Sequence, residues 1–245
     1  MILIGDYHTH TIYSHGSGTI RENVEEALKK GLKEIAICDH GPGHIGYGVK
    51  KKNIEVMRRE IDELNREYES KGIKILFGME ANIVKYDGTI DLNEEEIELL
   101  DILLLGFHFG AMPRNPIDWS KLYIFNFLSK FVPGMKKTMV EMNTMALLKA
   151  MDRYPIDLIT HPGSKVYVDI ERIAKKAARV GTALEINSSH SHLTVDEIKI
   201  ALKEDVKFYI NSDAHTPENV GNLKNGIERA EKAKVPIERI VNAIV

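Results

Sequence analysis

The residues best suited to chemistry in this chain stand at the ends of short apolar runs. Ile2-Leu3-Ile4 leads into Asp6-Tyr7-His8-Thr9-His10, Ile35-Ala36-Ile37 into Asp39-His40, and Ile73 to Phe77 into Glu80. Ile102 to Leu105 leads into His108, Ile156 to Ile159 into His161, Ala183-Leu184 into Glu185 and Asn187, and Phe208 to Ile210 into Asp213 and His215. Imidazoles and carboxylates are the donors that hold zinc, manganese or iron. Clustered ions of that kind activate water and neutralise phosphoryl charge, so this donor set suits hydrolysis of a phosphate ester. His8 and His10 are two residues apart, and in an extended strand both rings point to one face and can reach one ion. Asp6 shares that parity and is read as the acceptor that orients one of the imidazoles. A lone His-x-His motif carries little information. Its recurrence at run ends for most of the ten histidines is not what isolated buried histidines, each satisfied by backbone, would give.

Ligands this far apart in sequence converge only if the strands that carry them are parallel and end at one rim. Helical patterns separate the runs. Asn23 to Lys30 carries Val24, Ala27 and Leu28 at helical spacing and stops at Gly31, and Asn53 to Ser70 aligns Ile54, Met57, Ile61 and Leu64. Lys137 to Arg153, Ile170 to Val180, Val195 to Lys203 and Asn219 to Lys234 follow the same pattern. Alternating strand and helix predict an α/β protein, and seven repeats predict a distorted seven-stranded (β/α)7 TIM-like barrel rather than an open sheet. At 245 residues the chain reads as a single domain, 1–245.

One connection breaks the rhythm. Residues 109–136, from Phe109 to Lys136, hold Trp119, Tyr123, Phe109, Phe125, Phe127 and Phe131 together with Pro113, Pro116 and Pro133. An insertion of this length is expected to be a lid or an interface, with an extra helix over Leu122 to Phe131 as the plain alternative. Its rings are expected to wall a substrate pocket, to pack on a second subunit of a homo-oligomer, or to bury against the barrel flank.

Composition narrows the class further. A net charge of −3 and a pI near 6.4 argue against a grip on long nucleic acid. No run approaches a membrane span, and Met1 to Asp6 lacks the pattern of a signal peptide, so a cytoplasmic location is expected. Cys38, the only cysteine, reads as a small buried hydrophobe. There is no G-x-S-x-G elbow and no P-loop.

The segments Asp6-Tyr7-His8-Thr9-His10-Thr11 with His15, Asp39-His40-Gly41-Pro42, Gly78-Met79-Glu80-Ala81-Asn82, Gly106-Phe107-His108, His161-Pro162-Gly163 and Ser212-Asp213-Ala214-His215-Thr216 together resemble the PHP (polymerase and histidinol phosphatase) family. They are most similar to its branch of small trinuclear-metal phosphatases on a seven-stranded barrel. The resemblance implies a first ion on His8, His10, Glu80 and Asp213, with Glu80 bridging to a second ion on His108 and His161. It implies a third on His15, His40 and His215, where family members vary at the His15 position; without it the centre would be dinuclear. The implied cofactors are two to three divalent transition-metal ions, zinc foremost, with manganese or iron as alternatives. The implied activity is that of a phosphomonoesterase, a metal-dependent hydrolase releasing phosphate from a small phosphorylated metabolite through a metal-activated hydroxide. His8, His10, Glu80, His108 and Asp213 would form its catalytic core. The alternatives are a PHP-type phosphodiesterase or exonuclease, and a non-catalytic, metal-stabilised interaction module. Arg114, Lys165, His190 and His192 stand beside ligand-bearing run ends and are the candidates for binding substrate; ordinary surface roles compete with that reading.

Overall fold

The computed structural model describes residues 1–113 and 115–244. Seven strands form one sheet: β1 (Gly5–Thr9), β2 (Glu34–His40), β3 (Lys74–Asn82), β4 (Ile102–Gly106), β5 (Leu158–Ile159), β6 (Ala183–Asn187) and β7 (Phe208–Asn211). Each pairs in parallel with the next in chain order. Parallel neighbours need crossover connections, and helices supply most of them. The main ones are α1 (Ile20–Lys29), α2 (Lys51–Tyr68), α3 (Pro133–Arg153), α4 (Ile170–Val180), α5 (Val195–Ala201) and α6 (Lys224–Ala233). The sheet curls into the nearly closed seven-stranded barrel that the alternation predicts.

Closure combines side-chain and backbone contacts. The Tyr7 N–H donates to Asn211 Oδ1 at 3.0 Å, the Ser212 N–H donates to Asp6 Oδ1 at 3.0 Å, and the His10 N–H donates to the Ala214 carbonyl at 2.8 Å. Asp6 therefore does not orient an imidazole, contrary to the expectation from its parity. A register shift between Asp6 and Thr9 breaks the two-residue alternation with His8. The Asp6 carboxylate instead accepts from the Ser212 N–H, the Ser212 hydroxyl and the Gly221 N–H, stitching β1 to the chain after β7.

Local signals set the helix boundaries. Asp169 caps the Arg172 N–H and Gly181 takes the left-handed conformation that ends α4, so this helix matches the periodic segment to the residue. A capping box between Thr19 and Glu22 starts α1 three residues before the apolar stripe suggests. Pro133 in the first turn starts α3 ahead of Lys137, because a proline there sacrifices no helical hydrogen bond. At the other end, Pro217–Asn219 forms a separate short turn, and α6 begins only at Lys224.

The helices bury Val24, Ala27, Ile54, Met57, Ile61, Ile173 and Ala177 against Ile35, Ile37 and Phe77 on the outside of the sheet. A second cluster of Tyr7, Ala36, Cys38, Leu104, Leu158 and Ala183 fills the barrel below the rim. Ala36 and Cys38 share the face of His40, and Ala183 shares that of Glu185. The interior is thus a packed floor under a polar mouth, with Cys38 fully buried in it as a hydrophobe.

The insertion after β4 folds as three consecutive helical turns, Pro116–Ser120, Lys121–Phe125 and Asn126–Leu128, which covers part of the extra helix expected. Leu122 turns inward, but Trp119, Phe125, Phe127 and Phe131 stay 41%, 39%, 56% and 70% exposed. Burial of those rings on the flank of the same chain is not what occurs. Arg114 lies outside the described residues. Among the described residues no helix is long and apolar enough to cross a membrane.

Candidate metal centre

All nine candidate ligands converge at the mouth of the barrel. Seven are buried (His8, His10, His40, Glu80, His108, His161 and Asp213), while His15 and His215 are partly open to solvent. Donor atoms fall into three overlapping groups, His8/His10/Asp213, His40/Glu80/His108 and His10/His15/His40/His215, each with its atoms within 4.8 Å of one another.

Glu80 lies at the junction. Its Oε1 is 3.1 Å from Nε2 of both His108 and His161, while its Oε2 is 3.4 Å from His8 Nε2 and 2.9 Å from His40 Nδ1. Neither oxygen has a hydrogen bond among the described residues, although both are buried. An ionised buried carboxylate is unstable without compensation. Burial alone would raise the Glu80 pKa, but the imidazoles of His108, His8 and His40 outweigh it and hold the carboxyl well below its usual range.

The partners of the imidazoles fix which nitrogen faces inward. His8 Nδ1 pairs with Glu185 Oε1 at 2.8 Å and His108 Nδ1 pairs with Asn82 Oδ1 at 2.8 Å. With those protons outward, both Nε2 lone pairs aim at the Glu80 carboxylate. His8 Nε2 also lies 3.1 Å from His10 Nε2, and His108 Nε2 lies 3.3 Å from His161 Nε2. Lone pairs directed at one another and at an anion repel unless a cation stands among them. The residues present fit divalent metal, and the tautomers agree with the usual way outer carboxylates and amides orient ligating histidines.

The electrostatics agree. Burial opposes charge on His8, yet Glu185, Glu80 and Asp213 more than offset it and raise its pKa well above the ordinary value. The local field therefore favours positive charge. Burial lowers His108 to about 3, and burial together with His215 and His40 lowers His15 to about 4, so both rings keep a free lone pair at neutral pH. Asp213 is pulled the other way from its burial by His8 and His10, and its carboxyl stays ionised.

The surrounding shell is nearly saturated. Glu185 receives four donors, since Asn211 Nδ2 joins His8 on Oε1 while the His161 N–H and Asn187 Nδ2 reach Oε2. Asn187 Nδ2 also reaches Asp213 Oδ2 at 3.0 Å. Behind His108, Asn82 is held by Asp91, whose carboxylate accepts the Asn82 N–H at 2.8 Å and Asn82 Nδ2 at 2.6 Å. Asp39, pushed up to about 6 by burial, accepts from the Thr11 N–H and hydroxyl and from Ser14, and so pins the loop that carries His15. His15 then stacks between His40 and Tyr47 and meets the edge of His215 at 4.1 Å between centroids. Sequence reasoning did not give these supporting roles to Glu185, Asn82 or Asp91. The available signal was parity: Asn82 stands two residues after Glu80, and Asn187 two after Glu185.

Two candidate ligands sit on strained backbone. His161 and Asp213 have φ of 27° and 54°, a region that costs non-glycine residues on the order of 1–3 kcal/mol and persists where surrounding structure over-determines it. Each lies two residues past the end of its strand.

The remaining candidates separate. His190 Nε2 is 3.3 Å from Asp213 Oδ2 and its ring meets His161 edge-on, so it borders the centre. Lys165 and His192 line a neighbouring pocket. His44 is structural: its Nε2 donates to the Phe109 carbonyl and its Nδ1 accepts the Tyr47 N–H.

Comparison with known proteins gives a consistent picture. A family model described as "PHP domain" matches residues 6–229. A protein of Caldanaerobacter subterraneus named "Probable phosphatase" is 34% identical over 99% of this chain and 88% of its own length. One of the same name from Shewanella piezotolerans is 32% identical over 99% of this chain and 90% of its own. The histidinol phosphate phosphatase of Lactococcus lactis, solved with zinc, L-histidinol and phosphate, aligns over 95% of this chain and 94% of its own at 16% identity, with a TM-score of 0.63. At that identity the likeness is one of fold.

Proposed function

The chain belongs to the PHP domain family, and from that premise we propose that it is a metal-dependent phosphomonoesterase acting on a small phosphorylated metabolite. The observation that carries this reading is Glu80, whose two oxygens face two separate sets of imidazoles. One carboxylate placed so would serve two cations, the arrangement that two-metal phosphoester hydrolysis uses. On the family resemblance we assign His8, His10 and Asp213 with Glu80 to one ion, His108 and His161 with Glu80 to a second, and His15, His40 and His215 to a third; the contacts of Glu80 with His8, His108 and His161 support the first two. Zinc suits the histidine-rich donors best.

When bound, such ions supply hydroxide at neutral pH and neutralise charge on phosphoryl oxygens. The protein's own part is to hold the donors rigid. Glu185 fixes His8, Asn82 fixes His108, and Asp39 fixes the His15 loop. The packed floor excludes water from below and leaves the open mouth as the route for substrate. A single, buried, unpaired cysteine fits the cytoplasm.

The test is a phosphatase assay on metal-reconstituted protein. It should release phosphate from a chromogenic monoester, and His108→Ala or Asp213→Ala should lower kcat/KM by roughly 100-fold or more, since even outer-sphere losses cost 10–100-fold. Faster cleavage of diesters or oligonucleotides than of every monoester would replace this reading with a phosphodiesterase. Full metal loading without turnover of either class would leave a metal-stabilised interaction module.

A further inference from the structure

A pocket of about 310 Å³ opens between the insertion and the loop after β5. Its walls include Lys130 from the insertion, Gly163, Ser164, Lys165 and Tyr167 from the loop, and His192 from the segment after β6. Chain connection brings two of its walls close to the metal centre. Gly163 is two residues past His161, and His192 is two past His190, whose Nε2 is 3.3 Å from Asp213 Oδ2.

The charge of the pocket is one-sided. Among the described residues no aspartate or glutamate lines it. Among the described residues neither Lys130 nor Lys165 forms an ion pair, so both ammonium groups are available to a ligand. A third ammonium, that of Lys136, lies 4.3 Å above the Tyr167 ring. The Glu197 carboxylate is 3.9 Å from His192 Nδ1 and is already engaged by the N–H and hydroxyl of Thr194. His192 Nδ1 is itself buried without a hydrogen-bond partner among the described residues. Unpaired cations and an unsatisfied ring nitrogen around one cavity have a ligand's acceptors as their natural complement.

Resting on the phosphatase reading, we propose that this pocket receives the leaving group of the substrate and that the leaving group carries a second anionic group bound by Lys165 and Lys130. The substrate class is then a phosphorylated metabolite with a carboxylate or a second phosphate. The insertion serves as the wall that brings Lys130 to it.

The test is equilibrium binding to metal-loaded protein, which needs no turnover. Alkylphosphonates are compared with phosphonocarboxylates and with bisphosphonates of increasing chain length. The best dianionic probe should bind roughly tenfold tighter or more than its alkyl counterpart, as expected for charge-assisted hydrogen bonds. The stronger of the two anionic series identifies the group. Lys165→Gln and Lys130→Gln should each remove most of that advantage, with the alkylphosphonate shifting less and the melting temperature retained. Equal affinity across the series, or equal weakening of all probes in both variants, overturns the assignment. Hydrolysis of a chromogenic monoester in the same preparation separates the two claims. Turnover without anionic preference removes the pocket and keeps the phosphatase; anionic preference without turnover of any monoester does the reverse.

Discussion

His8 Nδ1 and Glu185 Oε1 lie 2.8 Å apart although 177 positions separate the two residues in the chain. The pairing sets the His8 tautomer and turns Nε2 toward Glu80. Glu185→Gln keeps the shape but forces an amide to face either the His8 ring or the donors of His161 and Asn187. Metal affinity should fall roughly 10–100-fold, the usual cost of an altered outer partner. A calorimetric zinc titration unchanged in the variant would show that Glu185 does not position His8.

Glu80 offers a sharper test of nuclearity. If its carboxylate serves two ions, Glu80→Gln should lower the metal content of purified protein by two equivalents together, whereas His15→Ala should remove one. Elemental analysis reads the difference directly. Loss of a single equivalent from Glu80→Gln would mean that the two oxygens do not face separate ions.

Metal removal should also cost stability, because the ions bind the folded chain and the folded site holds uncompensated carboxylates. At a free metal concentration about 100 times Kd, each ion contributes about 2.7 kcal/mol, or roughly 5–10 °C of melting temperature for a domain of this size. Chelation should lower Tm by that amount for each ion lost and zinc should restore it. A Tm indifferent to chelator, in protein shown to have lost its metal, argues against the centre as drawn.

The chain from Asp91 through Asn82 to His108 predicts an effect relayed over two side chains. Asp91 accepts three donors, the Asn82 N–H, Asn82 Nδ2 and the Gly43 N–H. Asp91→Asn confronts at least one of them with an NH2 group, at a cost of about 1–3 kcal/mol. Relief by flipping Asn82 would present its amide hydrogens to His108 Nδ1 and move the ring proton onto Nε2. Imidazole nitrogen shifts should report that change of tautomer together with weaker metal binding; an unaltered His108 spectrum would break the relay.

Gly106 tests the close packing around the same ligand. A Cβ there would lie 2.5 Å from Thr160 Oγ1 and 2.9 Å from His108 Cε1. Gly106→Ala should therefore destabilise by about 1–3 kcal/mol and displace His108. Adding Thr160→Ala relieves only the first contact, so the double variant should regain part of the Tm without regaining metal affinity. Joint recovery of both would show that His108 is not crowded.

The donors at the ends of apolar runs, the alternation of strand and helix, and the repeat number were enough to read a seven-stranded barrel with ligands at one rim. They suffice because side-chain parity and strand ends are local properties, encoded within a few residues of each donor. α4 was legible to the residue because its cap and its terminating glycine adjoin its apolar stripe. Three things were decided only by tertiary structure. A register shift in β1 turned Asp6 from the centre to the seam, which parity could not reveal. The pairing of His8 with Glu185, and the chain from Asp91 to His108, depend on which strands become neighbours when the sheet closes. The insertion was visible as an aromatic-rich anomaly, yet whether its rings would bury depended on what surface the folded barrel offered them. It leaves Trp119, Phe127 and Phe131 exposed and brings Lys130 beside Lys165, a proximity fixed by the packing of two loops and by no pattern within either.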